Sequence, residues 1–153
     1  MEIQDLTAAI DKAFGGDRPA QMGRNPEHCC ECAEHEEVMQ AVTPQTVSLQ
    51  QVGSPGWDPV CFLADETYCY FMPGFARLVL GRGDDYYLDQ FLFHLESGRI
   101  SCLNEEQCRA IAALLDHLYE TRSDEIEDNM DDKVLGHVMD LLAQRLSGFQ
   151  TSK

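Results

Sequence analysis

Long apolar runs are missing from this sequence. No stretch of about 18 consecutive apolar residues occurs, and a helix that crosses a bilayer needs about that many. A secretory signal is missing as well, because such a signal needs a basic start and an apolar core, whereas the first residues include Glu2, Asp5 and Asp11. We therefore expect a soluble, cytoplasmic protein that does not contact a membrane.

Basic residues are scarce. The chain has 11 Lys and Arg residues against 27 Asp and Glu residues, and its formal net charge is −16. Such a charge repels nucleic acid phosphates and anionic lipids, so we expect no nucleic acid ligand. If the chain has a protein partner, that partner is expected to be basic, although a large net charge also serves solubility alone.

Strand patterns are almost absent, since no segment alternates apolar and polar residues over several positions. Apolar residues recur at helical intervals instead, as in Leu135, Val138 and Leu142. The sequence predicts an all-α, or nearly all-α, single domain over residues 1–153, built as a bundle of about six helices. Two segments, PVCFL at 59–63 and GRISCL at 98–103, leave open a short two-stranded clip.

Two local signals shape the predicted helices. Pro73 stands inside an aromatic helix that begins near Asp65, and because proline lacks a backbone N–H we expect a kink or two abutting helices at residues 72–74. Asn104 and Gln107 are spaced as in a capping box at the start of another helix. Beyond that helix, residues 120–147 are expected to form an acidic turn or solvated helix end, followed by a final amphipathic helix.

Three segments together resemble a family of small bacterial proteins to which no function is assigned: ECAEH at 31–35, ETYCYFMPGFARLVL at 66–80 and LNEEQCRAIAALLDHL at 103–118. The resemblance covers a core of residues 3–118 and leaves the segment 120–147 outside it. It implies an α-helical single domain in a cytoplasmic setting. It implies no reaction, no cofactor and no site residue.

The seven cysteines are an odd number, and in a cytoplasmic protein they are expected to be thiols, metal ligands or buried residues. Three of them fall in the sequence HCCECAEH at 28–35. Cys29 and Cys32 have the spacing of a zinc knuckle, and His35 follows Cys32 by three residues, on the same face of a helix. His28 is the expected fourth ligand, although Cys61, Cys69, Cys102 or Cys108 remain alternatives.

Two other interpretations of the cluster remain open. One is a redox site in which Cys29 and Cys32 close to a disulfide, yet acidic neighbours disfavour a thiolate, and the βαβ unit typical of thioredoxin-like motifs is missing. The other is that the cluster only begins a helix, with Cys32 packed inward and the histidines exposed. A second Cys-x-x-Cys pair, which strong zinc signatures contain, does not occur in the chain.

Motifs of hydrolytic and phosphate chemistry are also missing, including Gly-x-Ser-x-Gly, His-Glu-x-x-His and glycine-rich phosphate loops. We expect no catalytic residue, and the leading hypothesis is a non-catalytic binding or interaction module, either monomeric or homodimeric. One alternative is a small zinc-binding or thiol-redox protein centred on Cys29, Cys32 and His35. Another is an acidic inhibitor or immunity-type partner of a basic protein.

Overall fold

The structure is a computed structural model, and it describes residues 2–151. Within these residues there are seven α-helices and no strand, which confirms the predicted all-α fold. The helices are α1 (Ile3–Ala13), α2 (Cys30–Gln40), α3 (Leu49–Val52), α4 (Asp65–Leu78), α5 (Leu88–Glu96), α6 (Glu105–Asp128) and α7 (Asp132–Thr151). None of these helices combines the length and the apolar character needed to span a bilayer.

The two-stranded clip that the sequence left open is absent from the described residues. Both segments contain short 3₁₀ turns instead, at Pro59–Phe62 and Arg99–Cys102. Pro59 stands at the start of its turn, where its fixed φ and missing N–H are tolerated, and the Asp58 carboxylate accepts a hydrogen bond from the N–H of Val60 at 3.0 Å. Local capping therefore decides the conformation of this apolar segment.

The chain divides into two compact units. One unit contains the described residues up to Ala13 and those from Phe91 onward, and the other is Phe14–Gln90. The predicted single domain over residues 1–153 stays a prediction. The Cys/His cluster lies in the second unit, so only that unit positions the candidate site.

In the first unit, α6 packs against both α1 and α7. The predicted capping box is present, because the Asn104 side chain accepts from the N–H of Gln107 at 2.8 Å and the Gln107 side chain accepts from the N–H of Asn104 at 2.9 Å. The acidic segment is mostly helical, since α6 continues to Asp128 with non-helical backbone only at Arg122. The predicted turn is confined to the residues between α6 and α7.

In the second unit, α4 runs without interruption through Pro73, so the alternative of two abutting helices is wrong. Gly74 lets this helix approach the preceding loop, because a Cβ at Gly74 would lie 2.6 Å from the carbonyl oxygen of Pro44. The guanidinium of Arg77 donates to the carbonyl oxygens of Pro44 and Val47, each at 3.0 Å. These contacts fix the loop after α2 against α4.

Candidate metal centre

The Cys/His cluster is built around the start of α2. Cys29 is the N-cap residue of this helix, with extended backbone at φ −161°, and its Sγ accepts a hydrogen bond from the N–H of Cys32 at 3.5 Å. Sulfur therefore replaces the oxygen that a Ser or Asp side chain would provide at an N-cap. Because of this cap, the two thiols of the Cys-x-x-Cys pair lie on the same side of the helix start.

Three potential ligand atoms converge there. The Sγ atoms of Cys29 and Cys32 are 3.5 Å apart, and the Cys32 Sγ is 3.9 Å from Nδ1 of His28. The ligand atoms of all three residues lie within 4.8 Å of one another. A tetrahedral zinc ion with Zn–S bonds of about 2.3 Å and Zn–N bonds of about 2.0–2.1 Å holds such atoms about 3.5–3.8 Å apart. The distance between the two Sγ atoms and the distance from Cys32 Sγ to His28 Nδ1 are thus close to the required length.

His35, the predicted third ligand, does not belong to this group. The residue is 4 % exposed, and its ring centroid lies 4.7 Å from that of Trp57 and 5.7 Å from that of Phe62. Its Nε2 is 3.4 Å from a carboxylate oxygen of Glu31, whereas its buried Nδ1 has no hydrogen-bond partner. The histidine that joins the two cysteines is His28, the residue predicted as fourth.

The two thiols have opposite pKa shifts. The N–H of Cys32, the His28 side chain and the Cys32 thiol all donate toward Cys29, and they lower the pKa of Cys29 to about 7. The pKa of Cys32 is raised, mainly by its hydrogen bond to Cys29, then by desolvation and by the negative charge on Cys29 and Glu31. Cys29 is therefore partly a thiolate at neutral pH, which is the form that binds a metal or attacks a disulfide.

A pocket of about 430 Å³ opens over the cluster. Its walls include all four residues predicted as metal ligands, His28, Cys29, Cys32 and His35. The remaining lining residues come from the loop before α2, from α2 itself, and from the Pro59–Phe62 turn with its N-cap residue: Arg24, Asn25, Glu31, Asp58, Cys61 and Phe62. Cys30 is exposed and is not among the lining residues.

Of the four more distant cysteines, only Cys61 lines this pocket. Cys108 is buried, and burial raises the pKa of its thiol. The Cys102 thiol donates to the carbonyl oxygen of Arg99 at 3.0 Å. Cys69 lies inside α4. These three residues are not part of the pocket wall.

Glu36 on α2 holds the loop that leads to the cluster. One carboxylate oxygen accepts from the N–H of Met22 at 2.9 Å and the other accepts from the N–H of Gly23 at 3.0 Å. Burial alone raises the pKa of Glu36, but these bonds, together with one from Gln40, outweigh it, and the net pKa is lowered. In the sequence Glu36 is one of several similar glutamates, and nothing there distinguishes it from its neighbours.

Comparisons with known proteins give no match. No protein-family model, no curated protein and no solved structure is significantly similar to this chain. The resemblance to a family of small bacterial proteins therefore stays a prediction, and the functional argument depends on the geometry of the cluster.

Proposed function

We propose that this chain is a small binding protein whose ligand is one zinc ion, held by His28, Cys29 and Cys32. One observation carries the proposal: the ligand atoms of these three residues lie within 4.8 Å of one another at the start of α2. This role corresponds to the alternative given by the sequence analysis, a small zinc-binding protein, and not to its leading hypothesis of a non-catalytic binding or interaction module.

The chemistry of the donors favours zinc over harder cations. Thiolate and imidazole are ligands of zinc, whereas calcium and magnesium are held by oxygen atoms. The N–H···S bond from Cys32 to Cys29 helps to keep the Cys29 sulfur as a thiolate, and zinc binding needs this deprotonated form. The net charge of −16 also favours the approach of a divalent cation over that of an anion.

A thiol-redox function is the second candidate, and the opposite pKa shifts of Cys29 and Cys32 favour it. A dithiol site needs one cysteine that is readily deprotonated and a second that stays protonated until it is needed. The Sγ–Sγ distance of 3.5 Å would have to shorten to about 2.05 Å in a disulfide. The same two residues thus serve either function, and only a measurement distinguishes zinc binding from thiol-redox chemistry.

Zinc affinity separates the two functions. The reduced chain is titrated with zinc in competition with a chromophoric chelator, and the variants Cys29→Ser, Cys32→Ser and His28→Ala are compared with Cys30→Ser. We expect one site per chain. Losing a ligand should lower the affinity by about 100-fold or more, because even second-shell changes cost about 10–100-fold.

Cys30→Ser is the matched control, since Cys30 is an exposed neighbour of Cys29 outside the pocket wall. It should bind zinc like the parent chain. Equal affinity in all variants would refute the proposal. A chain that binds no zinc, but interconverts reversibly between dithiol and disulfide near the thioredoxin potential of about −270 mV, would establish the redox function instead.

A further inference from the structure

A second pocket, of about 290 Å³, lies between α6 and α7 in the first unit, and we call it the α6–α7 groove. Three of its lining residues are apolar: Leu115 and Leu135 are buried, and Met139 is half-buried. Small-molecule sites typically have volumes of about 300–1,000 Å³. The groove is at the lower end of that range, so its size suits one or two side chains of a protein partner. The remaining lining residues are Asp116, Tyr119, Asp132, Lys133 and Gly136.

The border of the groove is acidic. The side chains of Asp116 and Asp132 make no hydrogen bond or ion pair within the described residues 2–151. Residues 116–133 contain eight Asp and Glu residues against two basic residues, Arg122 and Lys133. This part of the surface therefore attracts cations, and the basic side chains of a partner can pair with both carboxylates.

Two large apolar side chains are exposed in the same segment. Tyr119 lines the groove and is 47 % exposed, and Met130, in the turn between the two helices, is 83 % exposed. Met130 also has a backbone φ of 60°, in the left-handed region that favours Gly or Asn. An exposed methionine there adds little buried surface to the fold, whereas tyrosine and methionine are enriched in protein interfaces.

Charge decides between a second copy of this chain and a basic partner. A second copy has a net charge of −16, and like charges brought together at an interface are unfavourable. A basic segment has the opposite charge, and its apolar side chains can fill the space beside Leu115, Leu135 and Met139. The charge and the apolar lining of the groove thus favour the same class of partner.

We propose that the α6–α7 groove binds a basic, amphipathic segment of a partner protein. One or two apolar side chains of that segment enter the groove, and its Lys or Arg side chains pair with Asp116 and Asp132. An amphipathic helix presents apolar anchors every three or four positions to a groove of this kind. The proposal does not rest on zinc binding, since His28, Cys29 and Cys32 are not among the residues that line the groove.

Gly136 makes it possible to fill the groove without changing its charge. Gly136 lines the groove, and Gly148 is in the same helix but outside the groove wall. At both positions an added Cβ meets no atom within 4 Å. Leucine favours a helix over glycine, so Gly136→Leu and Gly148→Leu should both melt no lower than the parent chain. Because the two variants have the same composition and net charge, a difference in binding between them reports on the groove.

Binding is measured by fluorescence anisotropy at physiological salt with a synthetic peptide of about 14 lysine and leucine residues, whose leucines share one face of a helix. A control peptide has alanine in place of each leucine and the same charge. The parent chain and Gly148→Leu should bind the leucine peptide at least about tenfold more tightly than the alanine peptide, because a leucine side chain is buried in the groove. Gly136→Leu should lose this difference and bind the alanine peptide as the parent chain does.

Equal affinity of the parent chain for the two peptides would overturn the proposal, because charge alone would then explain binding. Equal affinity of Gly136→Leu and Gly148→Leu for the leucine peptide would overturn it as well. Sedimentation equilibrium without peptide tests the second copy, and we expect a monomer. A parent chain that is a dimer, and becomes a monomer in Gly136→Leu, would assign the groove to self-association instead.

Discussion

Gly23 is the position where a single methyl group should disturb the candidate site most clearly. A Cβ at Gly23 would overlap the Phe62 ring. Phe62 directly follows Cys61 in the same turn, and its ring packs against His35. The substitution Gly23→Ala therefore displaces Phe62, a residue of the pocket wall, without replacing any proposed ligand.

The expected loss follows from overpacking a buried position. Extra carbon atoms in a well-packed interior typically cost about 1–3 kcal/mol, and Gly23 is buried. For a chain of this length each kcal/mol corresponds to about 2–4 °C, so the melting temperature should fall by about 2–12 °C. Zinc affinity should fall as well, because Phe62 belongs to the wall of the pocket that His28, Cys29 and Cys32 also line.

Gly56→Ala is the matched control, because an added Cβ there meets no atom within 4 Å. Thermal unfolding followed by circular dichroism and zinc competition titration should be run on both variants. Gly56→Ala should differ from the parent chain by no more than about 0.5 kcal/mol, as expected for a surface substitution. If Gly23→Ala is as stable and binds zinc as tightly as the parent chain, the close packing of the loop against Phe62 is refuted.

Three further outcomes are expected. Glu36→Gln should be less stable than the parent chain near neutral pH and equally stable in acid, because a carboxylate with a lowered pKa contributes stability above its unfolded pKa and loses it as the pH falls through the folded pKa. Unfolding curves that show the same loss of stability at pH 7 and at pH 3 would contradict this. In the metal-free Cys30→Ser chain, alkylation of Cys29 followed by mass spectrometry should reach half its maximal rate near pH 7 and precede that of Cys32, and equal rates at both thiols would contradict the opposite shifts. Asn104→Ala should cost about 1 kcal/mol through loss of the α6 cap, and an unchanged melting temperature would show that the capping box does not stabilise the helix.

Features that depend on a few neighbouring residues were predictable from the sequence. The capping box at Asn104 and Gln107 is complete within four residues, so no distant part of the chain is needed to form it. The later helices were predictable for the same reason, because a helix is recognised from apolar residues that recur every three or four positions on one face. The two-stranded clip that the sequence left open is absent from the described residues for a related reason. Apolar content alone suggested strands, whereas Asp58 and Pro59 favour a 3₁₀ turn.

The composition of the site was predictable only in part. Helical spacing correctly places Cys32 and His35 one turn apart, but Trp57 and Phe62 pack against His35, and neither contact is visible in the spacing. The extended backbone of Cys29 then brings His28 to the two thiols instead. Tertiary packing therefore decided which histidine joins the cysteines.

The zinc content of the chain itself tests the central claim most directly. The protein is produced without an affinity tag, purified with its thiols reduced and analysed for metals, alongside a chain carrying both Cys29→Ser and Cys32→Ser. We expect about one zinc per parent chain and none above background in the double variant. A reduced parent chain that contains no zinc, and takes up none when dialysed against a zinc salt, would contradict the assignment of His28, Cys29 and Cys32 as a metal site.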